Sequence, residues 1–218
     1  MSEGDEWRTD TGSMASRVTD IAAWAVSIIF HPVLLPLYGL LLIFNVPVLL
    51  SFLPGPARRI IFTMVLVNTV ILPIAMLPLL KLRNVISSYR LESRNERIIP
   101  LLTTSLMYFV TAVMIFRLQL PSLIKSYVFA ASCVVFAAAL LNFRWKISVH
   151  AVGVGAMLAT VTILSFRMLT VNVWALVVTL LVSGLVMASR LWLRAHTPAE
   201  VYSGFVTGFV VMILAMRF

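Results

Sequence analysis

Long apolar runs recur along this chain, and they constrain its fold more than any other feature of the sequence. Between polar breaks, apolar stretches repeat from residue 21 to residue 216. Their length is roughly 20 residues, which is what an α-helix needs to cross the hydrocarbon core of a bilayer. Strand-like alternation is lacking, which disfavours a membrane β-barrel. The sequence therefore predicts an all-α, polytopic transmembrane helical bundle with about six or seven membrane segments.

The breaks divide the apolar sequence into seven segments. The first is too long for one upright crossing and contains His31-Pro32 and Pro36, where proline should kink or split a helix. We expect it to be one bent helix, an interfacial helix plus a span, or two short passes. The segments are 21–53, 60–80, 98–116, 122–141, 149–166, 171–188 and 201–216.

The remaining sequence predicts a simple domain organisation. Residues 1–16 are polar and do not have the pattern of a secretory signal, so we expect them to form a disordered tail. Residues 17–218 are expected to form a single transmembrane domain. The lone Cys133 has no partner for a disulfide within the chain.

The chain is strongly basic, with a formal net charge of +9. Its basic residues fall at helix ends and in short loops rather than along a soluble face, which argues against nucleic-acid binding. Membrane lipids, in particular anionic headgroups, are the expected partners.

Three polar breaks carry much of the charge, at residues 81–97, 142–148 and 189–200. Two spans separate each break from the next, and an even number of crossings returns a chain to the same side of the membrane. The three breaks should therefore meet at one surface. Ionisable groups at the edge of a bilayer are costly unless they pair or bind something, so this surface is the expected functional site.

The first break places Arg90 and Arg97 seven residues apart. Two guanidiniums suit a phosphoryl group, because each donates two hydrogen bonds and stays charged. The alternative is an ordinary basic loop beside the membrane that follows the positive-inside tendency.

The second break contains Lys146, Ser148 and His150. Ser148 is a plausible N-cap, and a helix that starts there would point free N–H groups and its positive end at an anion. The alternative is a capped membrane helix whose histidine lies at the interface. The remaining histidine outside the breaks, His31, is expected to be structural.

The third break is the most specific, because it combines Arg190, His196 and Glu200. Positions four apart share a helix face, so Glu200 can accept a hydrogen bond from one ring nitrogen of His196. That bond would fix the tautomer and leave the other nitrogen free to attack an electrophile. The structural alternative is a His–Glu pair that stabilises a helix terminus.

The third break resembles a motif of the type 2 phosphatidic acid phosphatase superfamily of membrane lipid phosphatases, Ser-Arg-x5-His-x3-Asp. Ser189, Arg190 and His196 match it, and Glu200 replaces the aspartate. The replacement keeps the charge and adds a methylene.

The other two breaks resemble the remaining motifs of that superfamily, Lys-x6-Arg-Pro and Pro-Ser-Gly-His, in the same order along the chain. Arg90-x6-Arg97 stands for the first, with the proline displaced to Pro100. Ser148 and His150 stand for the second, in which Ile147 and Val149 replace proline and glycine. The resemblance covers residues 90–208.

This resemblance implies a mechanism that uses a phosphohistidine and needs neither a metal nor another cofactor. His196 would attack phosphorus while Glu200 holds it, and His150 would act as general acid and then as general base. The phosphate-binding residues would be Arg90, Arg97, Lys146, Ser148, Ser189 and Arg190.

The function expected from the resemblance is hydrolysis of a lipid phosphate monoester or pyrophosphate. Phosphatidic acid, phosphatidylglycerol phosphate, undecaprenyl pyrophosphate, lipid A and sphingolipid phosphates all fit. A catalytically silent lipid-phosphate binding or transport protein, or a lipid phosphotransferase, remain alternatives. The expected location is a bacterial inner membrane with the site on the periplasmic face, and the oligomeric state stays open.

Overall fold

The computed structural model describes residues 14–46, 53–89, 93–167 and 173–217. Within these ranges the chain forms eight helices and no strand. The helices are α1 Met14–Ile29, α2 Leu35–Phe44, α3 Gly55–Leu82, α4 Arg94–Phe116, α5 Ser122–Asn142, α6 Val149–Arg167, α7 Val173–Trp192 and α8 Pro198–Ala215.

Six of these helices, α3 to α8, are long and apolar enough to cross a membrane. This count covers the described residues alone. The protein is therefore an integral membrane protein, and the predicted all-α polytopic bundle is confirmed, with the lower of the two expected numbers of segments. The single domain over residues 17–218 stays a prediction.

The first apolar segment is split at the predicted place. α1 has 16 residues and ends at Ile29, and α2 has 10 residues and begins at Leu35. Between them the Leu34 N–H donates to the His31 carbonyl at 2.8 Å, which closes a turn around Pro32. The last three residues of the predicted tail, 14–16, are helical, while residues 1–13 and 47–52 lie outside the described parts.

α6 and α8 pack backbone against backbone, because glycines face the contact. A Cβ added at Gly204 would lie 2.7 Å from the Ser148 carbonyl oxygen, and one added at Gly208 would overlap the Val152 carbonyl. Small residues allow such close approach of membrane helices. The N-terminal ends of α6 and α8, which follow the second and third polar breaks, are thereby held side by side.

α3 contains a π turn at Val67–Ile71, shortly before Pro73. A proline inside a helix has no N–H to donate and displaces the preceding turn, and a wider turn accommodates it. Pro73 lies on the wall of the cavity described below.

Candidate active site

The three polar breaks meet at one end of the bundle, as counting the crossings predicts. Arg94 at the start of α4 donates from Nη1 to the Arg144 carbonyl at 3.0 Å, and the Asn142 amide donates to the Arg94 carbonyl at 3.1 Å. The Ser148 N–H donates to the Glu200 carbonyl at 3.1 Å. The first break therefore contacts the second, and the second contacts the third.

A cavity of about 270 Å³ opens at this end of the bundle. One wall is polar and carries three histidines and two arginines. Much of the remaining lining comes from α3 and α4 and is mostly apolar, and we call this part the apolar wall. The polar wall consists of His31, Arg97, His150, Arg190 and His196. Residues of the apolar wall include Pro73, Ile74, Met76, Leu77, Leu80, Pro100 and Leu101.

His196 is held by Glu200, as the spacing predicts. Its Nδ1 lies 2.7 Å from Glu200 Oε2, and an ionised carboxylate accepts, so Nδ1–H donates and Nε2 keeps its lone pair. The sequence predicted that both residues lie on one face of a helix. In the structure only Glu200 is in α8, because His196 precedes the helix. Glu200 also accepts from the Thr197 N–H at 3.3 Å while Thr197 Oγ1 caps the Glu200 N–H, which forms a capping box.

The turn between α7 and α8 brings His196 back toward the cavity. Arg194 adopts φ 49°, in the left-handed region, and the Ala195 N–H donates to the Arg190 carbonyl at 3.2 Å. This bond and the left-handed residue terminate α7 in the manner of a Schellman motif. His196 follows two residues later and is buried.

Burial lowers the pKa of His196 below its ordinary value. The hydrogen bond that His196 donates to Glu200 opposes this effect, and the charges of Arg97 and Arg190 add to it. The ring is therefore neutral at pH 7. A neutral imidazole with a free Nε2 lone pair is the form that a nucleophilic histidine requires.

Two guanidiniums make the polar wall cationic. Arg190 donates from Nη1 to Ser27 Oγ at 3.4 Å, while its buried Nε has no hydrogen-bond partner among the described residues. Arg97 lies near enough to Arg190 for their like charges to interact. An anion in the cavity would relieve this repulsion and would supply an acceptor for Arg190 Nε.

His150 is oriented by the first helix. Its Nε2 lies 3.1 Å from the Ser27 carbonyl oxygen, which can only accept, so Nε2–H donates. Nδ1 is left as the ring nitrogen that can exchange a proton. The His31 ring meets the His150 ring edge to face, with 5.3 Å between the centroids.

Sequence reasoning missed the contribution of α1 and of the turn after it. Ser27 contacts both His150 and Arg190, and Trp192 Nε1 donates to Asp20 Oδ1 at 2.8 Å, which ties α1 to α7. His31 lines the cavity rather than serving only to shape the turn. The single sequence signal was a histidine beside the proline that breaks the first apolar run.

Three predicted phosphate-binding residues within the described part of the chain, and Glu200 behind His196, do not line the cavity. Ser148 is buried and accepts from the Ala151 N–H at 3.4 Å, as the predicted N-cap should, and Ser189 donates to the Leu185 carbonyl at 2.8 Å. Lys146 is absent from the lining. Arg90 lies outside the described residues. Arg97, His150, Arg190 and His196 are the predicted residues that do meet there.

Comparisons with protein-family models, curated protein sequences and solved structures give no match. Among the described residues, no three His, Cys, Asp or Glu side chains lie together as metal ligands would. The functional interpretation therefore depends on the motifs and on the geometry of the cavity.

Proposed function

We propose that this protein is a membrane lipid phosphatase that works through a phosphohistidine, in the manner of the superfamily its motifs resemble. The observation that carries the proposal is the state of His196. Its Nδ1–H is engaged by Glu200, which leaves Nε2 available in a cavity that also holds two arginines and a second oriented histidine. Binding an anion alone would need the arginines and would not need an oriented imidazole.

In the first step, Nε2 of His196 attacks phosphorus while the bond to the lipid oxygen breaks. His150, protonated at Nδ1, gives that proton to the departing oxygen. The His196 ring gains positive charge as the N–P bond forms, and the Glu200 carboxylate stabilises it. Arg97 and Arg190 stabilise the phosphoryl oxygens, on which charge is spread in a loose transition state.

In the second step, water attacks the phosphohistidine. The neutral His150 takes one proton from the water through Nδ1, the N–P bond breaks, and inorganic phosphate leaves. His196 returns to the neutral form with Nδ1–H donating to Glu200, and His150 is protonated for the next turnover.

The shape of the cavity favours an amphiphilic substrate. The anion-binding residues form one part of the cavity lining, and apolar side chains of two membrane-spanning helices form much of the rest. A lipid phosphate can place its headgroup at the polar wall while its chain contacts the apolar wall. A free sugar phosphate would leave the apolar wall without a partner.

The test is phosphate release by the detergent-purified protein and its His196→Ala variant, from a panel of lipid monophosphates and pyrophosphates in the presence of a chelator. We expect release by the wild-type protein and a loss of about 10⁴-fold or more in the variant, since removal of a nucleophile has effects of this size. Matching circular dichroism spectra and melting temperatures would show that the variant folds.

The rival function, a silent protein that binds or transports lipid phosphates, predicts a different outcome. No lipid would be hydrolysed, and His196→Ala would bind dodecyl phosphate as the wild-type protein does. A phosphotransferase would consume substrate without releasing equivalent phosphate, and analysis of lipid products would reveal the new acceptor.

The proposal includes the periplasmic face of a bacterial inner membrane as the location of the site. Arg194 is exposed in the turn beside the site, so an Arg194→Cys variant in a Cys133→Ser background reports its sidedness. A membrane-impermeant maleimide should label it in intact spheroplasts. Labelling only after the membrane is opened would place the site on the cytoplasmic face.

A further inference from the structure

Each of the three histidines on the cavity wall has one ring nitrogen engaged by a neighbouring group. Nδ1–H of His196 donates to Glu200, and Nε2–H of His150 donates to the Ser27 carbonyl. Nδ1 of His31 accepts from the Val33 N–H at 3.4 Å. The nature of each partner determines which ring nitrogen carries the hydrogen.

The partner of His31 determines its tautomer. A backbone N–H can only donate, so Nδ1 of His31 accepts and carries no hydrogen. A neutral imidazole with an unprotonated Nδ1 carries its hydrogen on Nε2. His31 therefore has one N–H donor, at the far end of the ring.

The surroundings of His31 favour the neutral form. Partial burial lowers its pKa, and the nearby charge of Arg190 lowers it further. The ring also meets His150 edge to face, and within the described parts of the chain no carboxylate contributes to its electrostatics. A neutral donor can lie beside two guanidiniums without adding to their repulsion.

The ring is accessible within the site. His31 lines the same cavity as His150, Arg190 and His196, and the residue as a whole keeps part of its surface accessible. Pro32 follows it and splits the first apolar segment, so the turn holds the ring at the end of α1 instead of inside a continuous helix.

We propose that His31 is a substrate-contacting residue whose Nε2–H donates a hydrogen bond to a phosphoryl oxygen of the lipid phosphate. This assignment rests on the proposed phosphatase function. The three rings then have different roles. His196 is the nucleophile, His150 transfers the proton, and His31 is a neutral hydrogen-bond donor. A donor of this kind is most effective when it is aimed at charge that grows in the transition state.

The experiment compares wild-type protein with His31→Ala and His31→Gln in two assays. One measures kcat/KM for the best lipid phosphate, and the other measures affinity for dodecyl phosphate in a His196→Ala background that cannot turn over. Glutamine places an amide N–H at about the position of Nε2. We expect His31→Ala to lower kcat/KM roughly 10²-fold and affinity about tenfold, and His31→Gln to recover much of both.

Tyr38→Phe is the matched control for structural damage to the same turn. The Tyr38 hydroxyl donates to the Ile29 carbonyl at 2.9 Å, and Tyr38 does not line the cavity. We expect its kcat/KM and affinity to stay within about twofold of wild type. Losses in Tyr38→Phe as large as those in His31→Ala, with no recovery in His31→Gln, would overturn the assignment.

The two proposals fail in different ways. If the wild-type protein releases phosphate and His31→Ala changes neither kcat/KM nor affinity, the His31 assignment is wrong and the phosphatase proposal stands. If no lipid is hydrolysed, the phosphatase proposal fails, and the binding assay still decides on His31. Weaker binding in His31→Ala that glutamine restores supports the contact, and equal binding refutes it.

Discussion

The polar wall of the cavity is built in two ways. On the C-terminal side, His196, Thr197 and Glu200 lie within one turn of chain, and a capping box fixes both ends of their hydrogen-bond network. On the N-terminal side, Ser27 holds His150 across 123 residues of sequence and Arg190 across 163. The first arrangement is local, and we call it the local side of the wall. The second depends on α1 packing against α7, and we call it the long-range side.

This difference indicates a division of roles. The local network acts on the tautomer and charge of the proposed nucleophile, so its loss should lower the rate of the chemical step. The long-range contacts orient a guanidinium and a second imidazole, and much of that orientation is shared with other packing. Loss of the Ser27 hydroxyl, which contacts Arg190, should therefore have a smaller effect, mainly on substrate binding.

Glu200→Gln tests the local side and should have a larger effect than loss of the Ser27 hydroxyl. Glutamine can still complete the capping box, but it carries no charge to stabilise a cationic His196 ring. We expect kcat to fall roughly 10²- to 10³-fold with a small change in KM, since loss of an aspartate charge behind a catalytic histidine has effects of this order or larger. Steady-state kinetics on the best lipid phosphate would measure it.

Thr197→Ala is the control for Glu200, because it removes the capping hydroxyl and leaves the carboxylate. Loss of an N-cap costs about 1 kcal/mol, so the melting temperature should fall while kcat stays near wild type. If Thr197→Ala lowered kcat as much as Glu200→Gln, the capping box would matter more than the charge, and Glu200 would be a structural residue.

Ser27→Ala tests the long-range side. Its hydroxyl accepts from Arg190 Nη1 at 3.4 Å, and its carbonyl, which holds His150, remains in the variant. Because the lost bond is long, we expect the free energy of substrate binding to weaken by about 1 kcal/mol. This is equivalent to a roughly fivefold rise in KM, with kcat nearly unchanged. The same kinetic assay reports it.

A second buried serine provides the comparison for Ser27. The Ser27 hydroxyl donates back to its own helix, to the Ala23 carbonyl at 2.9 Å, and Ser183 does the same to the Thr179 carbonyl at 2.7 Å but does not line the active-site cavity. Ser183→Ala should leave KM unchanged. A fall in kcat for Ser27→Ala as large as that for Glu200→Gln would remove the distinction between the two sides of the wall.

The same difference explains how much the sequence could predict. Apolar run length predicted the helical spans, the proline at position 32 predicted the split of the first segment, and the spacing of His196 and Glu200 predicted their hydrogen bond. Each depends on neighbouring residues. The contacts of Ser27 and His31 join distant parts of the chain, and no local spacing encodes them.

Some predicted phosphate ligands failed to reach the cavity for a related reason. Motif spacing places Ser148 and Ser189 beside functional residues along the chain, but the Ser148 hydroxyl caps α6, and the phase of α7 turns the Ser189 hydroxyl toward the Leu185 carbonyl. Adjacent positions on a helix point in different directions. Sequence proximity therefore predicted the neighbourhood of the site more accurately than the identity of its ligands.

Arg194→Gly tests whether the local side depends on the turn itself, and its effect should be the smallest. Arg194 holds φ 49°, a conformation that costs a non-glycine residue roughly 1 kcal/mol and costs glycine much less. We expect the melting temperature to rise by about 2–4 °C, as a chain of this length should respond to 1 kcal/mol, with kcat unchanged. Differential scanning fluorimetry and steady-state kinetics measure the two quantities.

Asn84 is the control for Arg194, because it also holds a positive φ, 56°, but follows α3 and is not part of the turn that carries His196. Asparagine tolerates the left-handed region, so Asn84→Gly should raise the melting temperature less than Arg194→Gly does. Glycine at position 194 also loosens the chain that carries His196. A fall in kcat together with a higher melting temperature would mean that the stiffness of this turn, and not the Glu200 contact alone, holds the imidazole in place.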